Sequence, residues 1–492
     1  MKLKELVIFL IVILISTFKI ASTSSNIAQS AEIATSLYFG VDVAFESLDE
    51  TLRIVDEVSS YTNLFVIGCY GPLIPNDESH PIYNETRLSY ISEYVYEKGL
   101  SFIVYSDDPG FPSAEWLVNA RANFGDKFLG IYYYDEPGGK QLDQANYPAF
   151  YYAKNFSDAA NRYVNTINWW LRSGPYSIGR NLGDQTEIQL FTSDYGLYWF
   201  DYQAGYDTVF AEYGWNSGWE DYSRQLNAAL VRGAATAMKK DWGIMITWAY
   251  QQPPYMEPGP ELYEDMMSAY QNGGKYIIVF DSNKDWTENV LQQDHFDAMK
   301  QFWQYAQTNP RTEMPLSTRS VYVLPENYGD GFRGPNDTIW GLWRADFNVA
   351  EGSQNFTANI RRSIATLLQV FGPKLDIVYQ RADQNVESMG YETVLYWNDT
   401  ELMPYTQAIP SQSPAGNESA WQLPTPTPSA PPASGLNLIG FYVLGIGVLI
   451  LIAVFASIRE LRKNATPKGS SGMETKLASE ALLRVIVSFR QF

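Results

Sequence analysis

Residues 37–307 alternate short apolar runs with longer amphipathic stretches, and this alternation constrains the fold more than any other feature of the sequence. The apolar runs have the length and composition of buried strands, which we predict at 37–45, 64–68, 102–105, 128–134, 188–192, 208–211, 243–248 and 276–280. The predicted helices between them lie at 48–58, 88–98, 112–123, 156–171, 223–239, 261–271 and 293–306, with a short crossover near 197–202. Strands that each lead into a helix predict an α/β protein, a (β/α)8 barrel that spans residues 35–310.

An open, doubly wound parallel sheet is the alternative architecture for such a pattern. A sheet of that kind commonly binds a dinucleotide at a Gly-rich loop that opens the first helix. No such loop follows the first predicted strand, so the barrel is favoured.

Residues 316–402 have a different pattern, which predicts a small α/β appendage packed on the barrel. Strand-like runs at 320–324, 375–379 and 393–397 flank a helix near 358–371. A Gly-rich loop, 328–336, carries Arg333 and could reach the barrel mouth. The next segment, 403–435, is rich in Pro, Ser and Thr, cannot build a core, and is predicted to be an extended stalk.

Apolar runs near both ends of the chain predict an anchored surface protein. Residues 1–34 combine a basic start, an apolar run and small polar residues, the pattern of a secretory signal sequence and leader. Residues 436–458 contain an uncharged run that predicts a single transmembrane helix, and the basic residues that follow predict a cytoplasmic tail at 459–492. The folded part would then be extracytoplasmic. It carries the glycosylation sequons Asn84, Asn155, Asn336, Asn355, Asn398 and Asn417.

Composition limits the chemistry that this chain can perform. The formal charge is −20, which argues against a nucleic-acid partner because phosphates require a basic surface. One Cys excludes an internal disulfide, and two His argue against a zinc site, so we expect neither a metal nor another cofactor. A cysteine-poor, acidic ectodomain in front of one anchor resembles an archaeal surface protein more than a disulfide-bonded eukaryotic one. Because Cys and His are so few, carboxylates and aromatic residues must carry any reaction.

Acidic and aromatic residues follow nearly all the predicted barrel strands, at the ends where barrel enzymes carry their reacting groups. Acids occupy this position at Asp42, Asp107, Asp135, Glu136, Asp194, Glu212 and Asp281. Aromatic residues occupy it at Tyr213, Trp215, Trp248 and Tyr250. We predict that these side chains line one pocket.

Alternation along the strands selects two glutamates as the candidate catalytic pair. Along strand four, residues 128, 130, 132 and 134 are predicted to point into the barrel, and residues 129, 131 and 133 toward the helices. Glu136 falls in the inward phase, whereas Asp135 is predicted to tie down a loop. Glu212 shares the inward phase of strand six with Thr208 and Phe210.

Two carboxyl groups across one pocket are what glycoside hydrolysis requires. One protonates the leaving oxygen, and the other attacks the anomeric carbon or activates water. Aromatic faces can stack on the apolar face of a sugar ring, and the remaining acids can bind its hydroxyls.

The sequence Tyr-Tyr-Tyr-Asp-Glu-Pro at 132–137 and the sequence Ala-Glu-Tyr-Gly-Trp at 211–215 resemble strand ends of the (β/α)8 glycoside hydrolase superfamily. In its large clan of retaining enzymes the acid lies on strand four and the nucleophile on strand seven. Here strand seven offers no acid before Glu257, whereas a pair on strands four and six is what other barrel families use. The resemblance implies Glu136 as general acid/base and Glu212 as nucleophile or base.

The leading hypothesis is a membrane-anchored glycoside-hydrolase-like protein that acts on polysaccharides or surface glycans. Its expected partners are carbohydrate and, through the C-terminal helix, the lipid bilayer. The alternative is a non-catalytic barrel that binds glycans or serves as a scaffold at the cell surface, since one fold can host either role.

Overall fold

The computed structural model describes residues 37–44, 47–69, 85–106, 111–144, 152–173, 188–214, 223–285, 287–312, 314–334, 337–344 and 356–398. The predicted signal sequence, stalk, transmembrane helix and cytoplasmic tail lie outside these residues. Within them, no helix is both long enough and apolar enough to cross a membrane.

The eight predicted strands form a closed, wholly parallel barrel in chain order, which confirms the (β/α)8 fold. The strands are β1 (Tyr38–Val43), β2 (Leu64–Cys69), β3 (Ser101–Ser106), β4 (Phe128–Tyr133), β5 (Gln189–Asp194), β6 (Thr208–Tyr213), β7 (Asp241–Ile246) and β8 (Tyr276–Phe280). β1 pairs in parallel with both β2 and β8, so the sheet has no free edge.

Helices cover the outside of the barrel. They are α1 (Leu48–Val58), α2 (Glu85–Glu97), α3 (Ala114–Phe124), α4 (Pro137–Gln144), α5 (Phe156–Asn168), α6 (Tyr198–Ala204), α7 (Ser223–Met238), α8 (Gly259–Gln271) and α9 (Gln293–Thr308). A single π-helical turn, Trp169–Ser173, continues α5. The short crossover predicted near 197–202 is α6.

The barrel has two cores, one inside the strands and one between strands and helices. Large side chains fill the interior, among them Tyr132, Phe191, Phe210 and Tyr276. The opposite faces of the same strands carry apolar residues that pack against the helices. The interior is therefore closed by packing, and the open end at the strand carboxyl termini is where a ligand can bind.

A register shift at the start of β4 corrects the predicted alternation there. Phe102 pairs with Phe128 but Ile103 pairs with Gly130, so one extra residue enters β4. Gly130 has φ +148, and a Cβ at this position would lie 2.2 Å from the Gln189 carbonyl oxygen. As a result Phe128 lies in the helix-facing core and Leu129 packs on the barrel interior, opposite to the prediction. Beyond the shift the prediction holds for Ile131, Tyr132 and Tyr133.

The appendage contains a second parallel sheet, in the order β10–β9–β11. Its strands are β9 (Ser320–Leu324), β10 (Leu375–Tyr379) and β11 (Thr393–Tyr396), and α10 (Phe356–Phe371) precedes β10. Barrel and appendage lie in one compact unit.

A buried ionic network joins the appendage to α7 of the barrel. Asp376 on β10 is fully buried and accepts hydrogen bonds from Arg232 of α7 (2.6 Å), from Arg319 (2.9 Å) and from the Tyr391 hydroxyl (2.8 Å). Arg232 also donates to the Leu375 carbonyl oxygen at 2.8 Å. Buried charges need such partners, so this network fixes β10 against the barrel.

Candidate active site

An acidic cluster lies at the carboxyl ends of β1, β4, β5 and β6. Its carboxyl groups are close enough to alter one another's pKa: the charge of Asp135 raises the pKa of Asp42 and of Glu212, and the charges of Glu212 and Asp194 raise that of Glu136. The structure therefore brings together five of the predicted site residues, namely Asp42, Asp135, Glu136, Asp194 and Glu212.

The backbone after β4 is strained where it carries two of these acids. Tyr134 (φ 63) and Glu136 (φ 50) both adopt the left-handed conformation, which is unfavourable for residues with a Cβ. Neighbouring β5 holds this segment in place: Glu136 N–H donates to the Ser193 carbonyl oxygen at 3.0 Å, and the Thr192 hydroxyl donates to the Tyr134 carbonyl oxygen at 2.9 Å. Strain of this kind is common where a side chain must be aimed at a ligand.

Glu136 and Glu212 form a coupled pair of carboxyl groups. Burial, followed by the charge of Glu212, raises the pKa of Glu136 well above its ordinary value. Burial and the charge of Asp135 raise the pKa of Glu212 to about 8, while the hydrogen bond from Ser193 partly opposes this rise. Because both carboxyl groups favour the protonated form, the pair retains a proton at neutral pH.

Two groups that the sequence analysis did not select surround the pair. The Ser193 hydroxyl donates to Glu212 Oε1 at 3.0 Å. Lys140, one turn into α4, donates to the Asp135 carbonyl oxygen at 2.6 Å, and its charge lowers the pKa of Glu136. The inward-facing Tyr132 hydroxyl donates to Asp135 Oδ1, which ties this carboxylate to the strand below it.

Asp194 is fully buried and serves as the N-terminal cap of α4. Its carboxylate accepts hydrogen bonds from the backbone N–H groups of Gly138 (2.6 Å), Gly139 (2.8 Å), Tyr195 (2.7 Å) and Gly196 (3.1 Å). The Pro-Gly-Gly start of α4 is a poor helix former, and we did not predict this helix. The carboxylate of Asp194 explains why it forms, since it satisfies N–H groups that have no partner within the helix.

A second buried acid, Asp201 of α6, lies next to Asp194 and was also missed. The Tyr163 hydroxyl donates to Asp201 Oδ1 at 2.5 Å. Burial and the charge of Asp194 raise the pKa of Asp201 well above its ordinary value. The sequence feature that could have identified Asp201 is its position inside the aromatic run 198–202, since an acid in such a run indicates a buried charge with a specific partner.

The other predicted site residues are not part of this cluster. Asp281 is fully buried and accepts hydrogen bonds from the backbone N–H groups of Val290 (2.8 Å) and Leu291 (2.9 Å), so it ties down a loop. Tyr213 is buried in the helix-facing core, below the Arg224 guanidinium. Asp107 and Trp215 lie outside the described residues.

Trp248 and Tyr250 lie on the segment that follows β7. Trp248 is half-buried, packs on Tyr255 and on Phe280 at the end of β8, and donates from Nε1 to the Ser282 carbonyl oxygen at 2.9 Å. Tyr250 is 46% exposed, which makes it the most accessible of the predicted aromatic residues that the structure describes. Both can offer part of a ring face to a ligand at this end of the barrel.

The arrangement supports proton transfer between carboxyl groups and a ligand held over the barrel mouth. Within the described residues, no group of three or more His, Cys, Asp or Glu side chains is arranged to hold a metal ion. Asp135, Asp194 and Glu212 instead accept hydrogen bonds from protein groups.

Neither the models of known protein families nor the curated proteins give a sequence match to this chain. Solved structures that it resembles include GH5_18 from Streptomyces cattleya in complex with GlcNAc, with a TM-score of 0.45 and 12% identity over 74% of this chain and 99% of that chain. The β-galactosidase from the Antarctic haloarchaeon Halorubrum lacusprofundi has a TM-score of 0.45 and 11% identity over 73% of this chain and 69% of that chain. The β-galactosidase from the psychrophilic Marinomonas ef1 has a TM-score of 0.45 and 11% identity over 76% of this chain and 74% of that chain.

Proposed function

We propose that this protein is a glycoside hydrolase in which Glu136 and Glu212 form the catalytic pair. The observation that carries the proposal is that Glu136, which follows β4, and Glu212, near the end of β6, lie at the carboxyl ends of strands of one closed barrel, with the pKa of both raised. Glycosidic bond cleavage needs a protonated and an ionised carboxyl group on the two sides of one bond. A pair that retains a proton at neutral pH can supply both.

The surroundings of the two carboxyl groups favour different roles for them. Glu212 accepts a hydrogen bond from Ser193, which stabilises its ionised form and suits a nucleophile or a base. Glu136 has its pKa raised well above the ordinary value by burial and by Glu212, which suits a general acid. In the proposed reaction Glu136 protonates the leaving oxygen while Glu212 attacks the anomeric carbon or activates a water molecule.

Carbohydrate is the proposed ligand because the mouth combines acids with accessible aromatic rings. Carboxylates accept hydrogen bonds from sugar hydroxyls, and the rings of Trp248 and Tyr250 can stack on the apolar face of a sugar. We place Asp42 and Asp135 among the ligand-binding groups, since both lie in the cluster beside the pair.

Hydrolysis by single-residue variants tests the proposal. The full chain is assayed on a panel of 4-nitrophenyl glycosides and on polysaccharides, with Glu136→Gln, Glu212→Gln and the control Glu264→Gln, which makes the same change at an exposed position of α8. Loss of turnover in the first two variants and wild-type turnover in the third are expected. Wild-type rates in Glu136→Gln on every accepted substrate would contradict the assignment. Saccharide binding without turnover by the wild type would instead support a non-catalytic glycan-binding barrel.

We also propose that the folded part is held outside the cell by a transmembrane helix at 436–458. The uncharged apolar run and the basic residues that follow it support this orientation. Resistance of the full chain to carbonate extraction, and its release after two Leu→Arg substitutions at Leu444 and Leu449, would be the expected result. Extraction of the unmodified chain with carbonate would contradict it.

A further inference from the structure

The appendage meets the barrel at α4, the short helix that begins immediately after Glu136. Glu136 precedes the helix, and its carbonyl oxygen accepts a hydrogen bond from Lys140 N–H at 2.9 Å, so Glu136 is the residue at the N-terminal end of α4. Any movement of α4 therefore changes the position of Glu136.

Residues 331–333 and 340–341 of the appendage pack against the side of α4. The buried Gln141 side chain donates from Nε2 to the Trp340 carbonyl oxygen at 2.7 Å. Gly341 has φ +68, and a Cβ there would lie 2.4 Å from the Gln141 carbonyl oxygen. The backbone of the appendage thus approaches α4 as closely as a residue without a side chain allows.

Arg333 is the charged contact between this loop and α4. Its Nη1 donates to Asp143 Oδ1 at 2.7 Å, and its Nη2 donates to Asp337 Oδ1 of the appendage at 2.7 Å. Asp337 is buried and the Arg333 side chain is 18% exposed, so this ion pair is shielded from water, whereas Asp143 is 47% exposed. Arg333 therefore links α4 to a fixed point in the appendage.

Tyr195 completes the connection to the acidic cluster. The Arg333 guanidinium lies 5.2 Å from the centre of the Tyr195 ring, and the Tyr195 hydroxyl donates to Asp143 Oδ2 at 2.5 Å. A Cβ on Gly139 would lie 2.3 Å from the same ring, so the ring fills the space between Arg333 and α4. The neighbouring Asp194 caps the same helix.

We propose that Arg333 is a positioning residue, through which the appendage holds α4 and thereby keeps Glu136 in place at the barrel mouth. The role assigned to Glu136 rests on the proposed function, whereas the mechanical link between Arg333 and α4 does not. Misplacement of a reacting group by about 1 Å can lower turnover roughly 100-fold. A residue that does not touch the ligand can therefore affect turnover through the position of Glu136.

Hydrogen exchange of the full chain tests the link directly, with the variants Arg333→Met and Arg381→Met. Arg381 is a matched control because it belongs to the same appendage and forms an ion pair with Asp383 at 2.5 Å. In Arg333→Met, we expect amides of residues 134–144 to exchange roughly 1.5- to 5-fold faster than in the wild type, the effect of losing a partly exposed ion pair. We expect no such change in Arg381→Met. Unchanged exchange at 134–144 in Arg333→Met would overturn the proposal.

Two additions keep the test decisive. If Arg333→Met exchanges faster throughout the appendage, Asp143→Asn is used instead, since Asp143 is 47% exposed and its replacement removes the same ion pair without a buried change. If the wild type hydrolyses a substrate, kcat in Arg333→Met is expected to fall about 10- to 100-fold with a smaller change in KM. Faster exchange at 134–144 with no hydrolysis by the wild type would support the link and reject the proposed function.

Discussion

The hydroxyl of Ser193 on β5 donates a hydrogen bond to Glu212 Oε1 on β6 at a distance of 3.0 Å. Ser193 is fully buried, so this donor is shielded from water and its effect on the carboxyl group is strong. The hydrogen bond from Ser193 lowers the pKa of Glu212. Burial and the charge of Asp135 raise this pKa by a larger amount. A single hydroxyl therefore helps to decide which member of the carboxyl pair carries the charge.

Replacement of Ser193 by Ala should raise the pKa of Glu212 further above about 8, because the ionised form loses a donor. The expected rise is about one pKa unit, the size of one hydrogen bond to a charged group. If Glu212 reacts in its ionised form, the acidic limb of the kcat/KM profile moves to higher pH by the same amount. Ser193→Thr retains the hydroxyl and is the control, and an unchanged titration of Glu212 by carboxyl NMR in Ser193→Ala would contradict the prediction.

The buried acid Asp201 predicts how stability depends on pH. Its pKa in the folded protein is raised well above the unfolded value of 3.8, so the folded state binds the proton more tightly. The free energy of unfolding must then decrease as the pH rises from that value toward the folded pKa. Asp201→Asn keeps an acceptor for the Tyr163 hydroxyl but cannot lose a proton.

We therefore expect the free energy of unfolding of Asp201→Asn, relative to that of the wild type, to increase from pH 5 to pH 8. Urea unfolding at the two pH values measures the effect. Asp297→Asn, at an exposed position of α9, should retain the wild-type pH dependence. Parallel pH profiles for wild type and Asp201→Asn would show that Asp201 carries no extra proton.

The barrel could be predicted from the sequence because each strand is a run of buried residues that leads into an amphipathic helix. The start of β4 could not be predicted, since the extra residue, Leu129, changes the phase of the alternation without interrupting the apolar run. The alternation also stops at Tyr133, because Tyr134 and Glu136 take left-handed backbone conformations. Glu136 was selected by a rule of alternation that does not describe the backbone at its own position.

The candidate site could be predicted in part because acids at strand ends converge in any parallel barrel. Tyr213 shows the limit of the argument. The alternation that turns Glu212 and Phe210 inward turns Tyr213 outward, and its ring lies in the helix-facing core. Lys140 and Ser193 were missed because no local pattern distinguishes them from residues of a loop or of a strand. Their importance depends on which strands are neighbours.

The aromatic residues at the barrel mouth give a prediction on saccharide binding. Trp248→Ala removes a ring that is accessible beside β8, whereas Tyr213→Phe changes a ring that is buried behind β6. We expect Trp248→Ala to weaken the binding of an accepted saccharide by roughly 2- to 12-fold, the effect of losing one aromatic contact of about 0.5–1.5 kcal/mol. Tyr213→Phe should bind as the wild type does. Calorimetric titration compares the two, and equal losses in both variants would contradict the assignment of the mouth.

The buried carboxylate of Asp376 gives a prediction on the attachment of the appendage. Replacement of Asp376 by Ala leaves Arg232 of α7 without its charge partner, and Arg232 is only 4% exposed. Removal of one member of a buried ion pair costs about 3–5 kcal/mol, because the remaining charge stays buried without compensation.

Asp383→Ala makes the same substitution in an exposed ion pair of the appendage and should change the free energy of unfolding by only about 0.2–1 kcal/mol. Urea unfolding measures both variants, and limited proteolysis should cleave near residues 309–319 more rapidly in Asp376→Ala. Equal stability of the two variants would mean that the appendage is held by its apolar contacts rather than by this network.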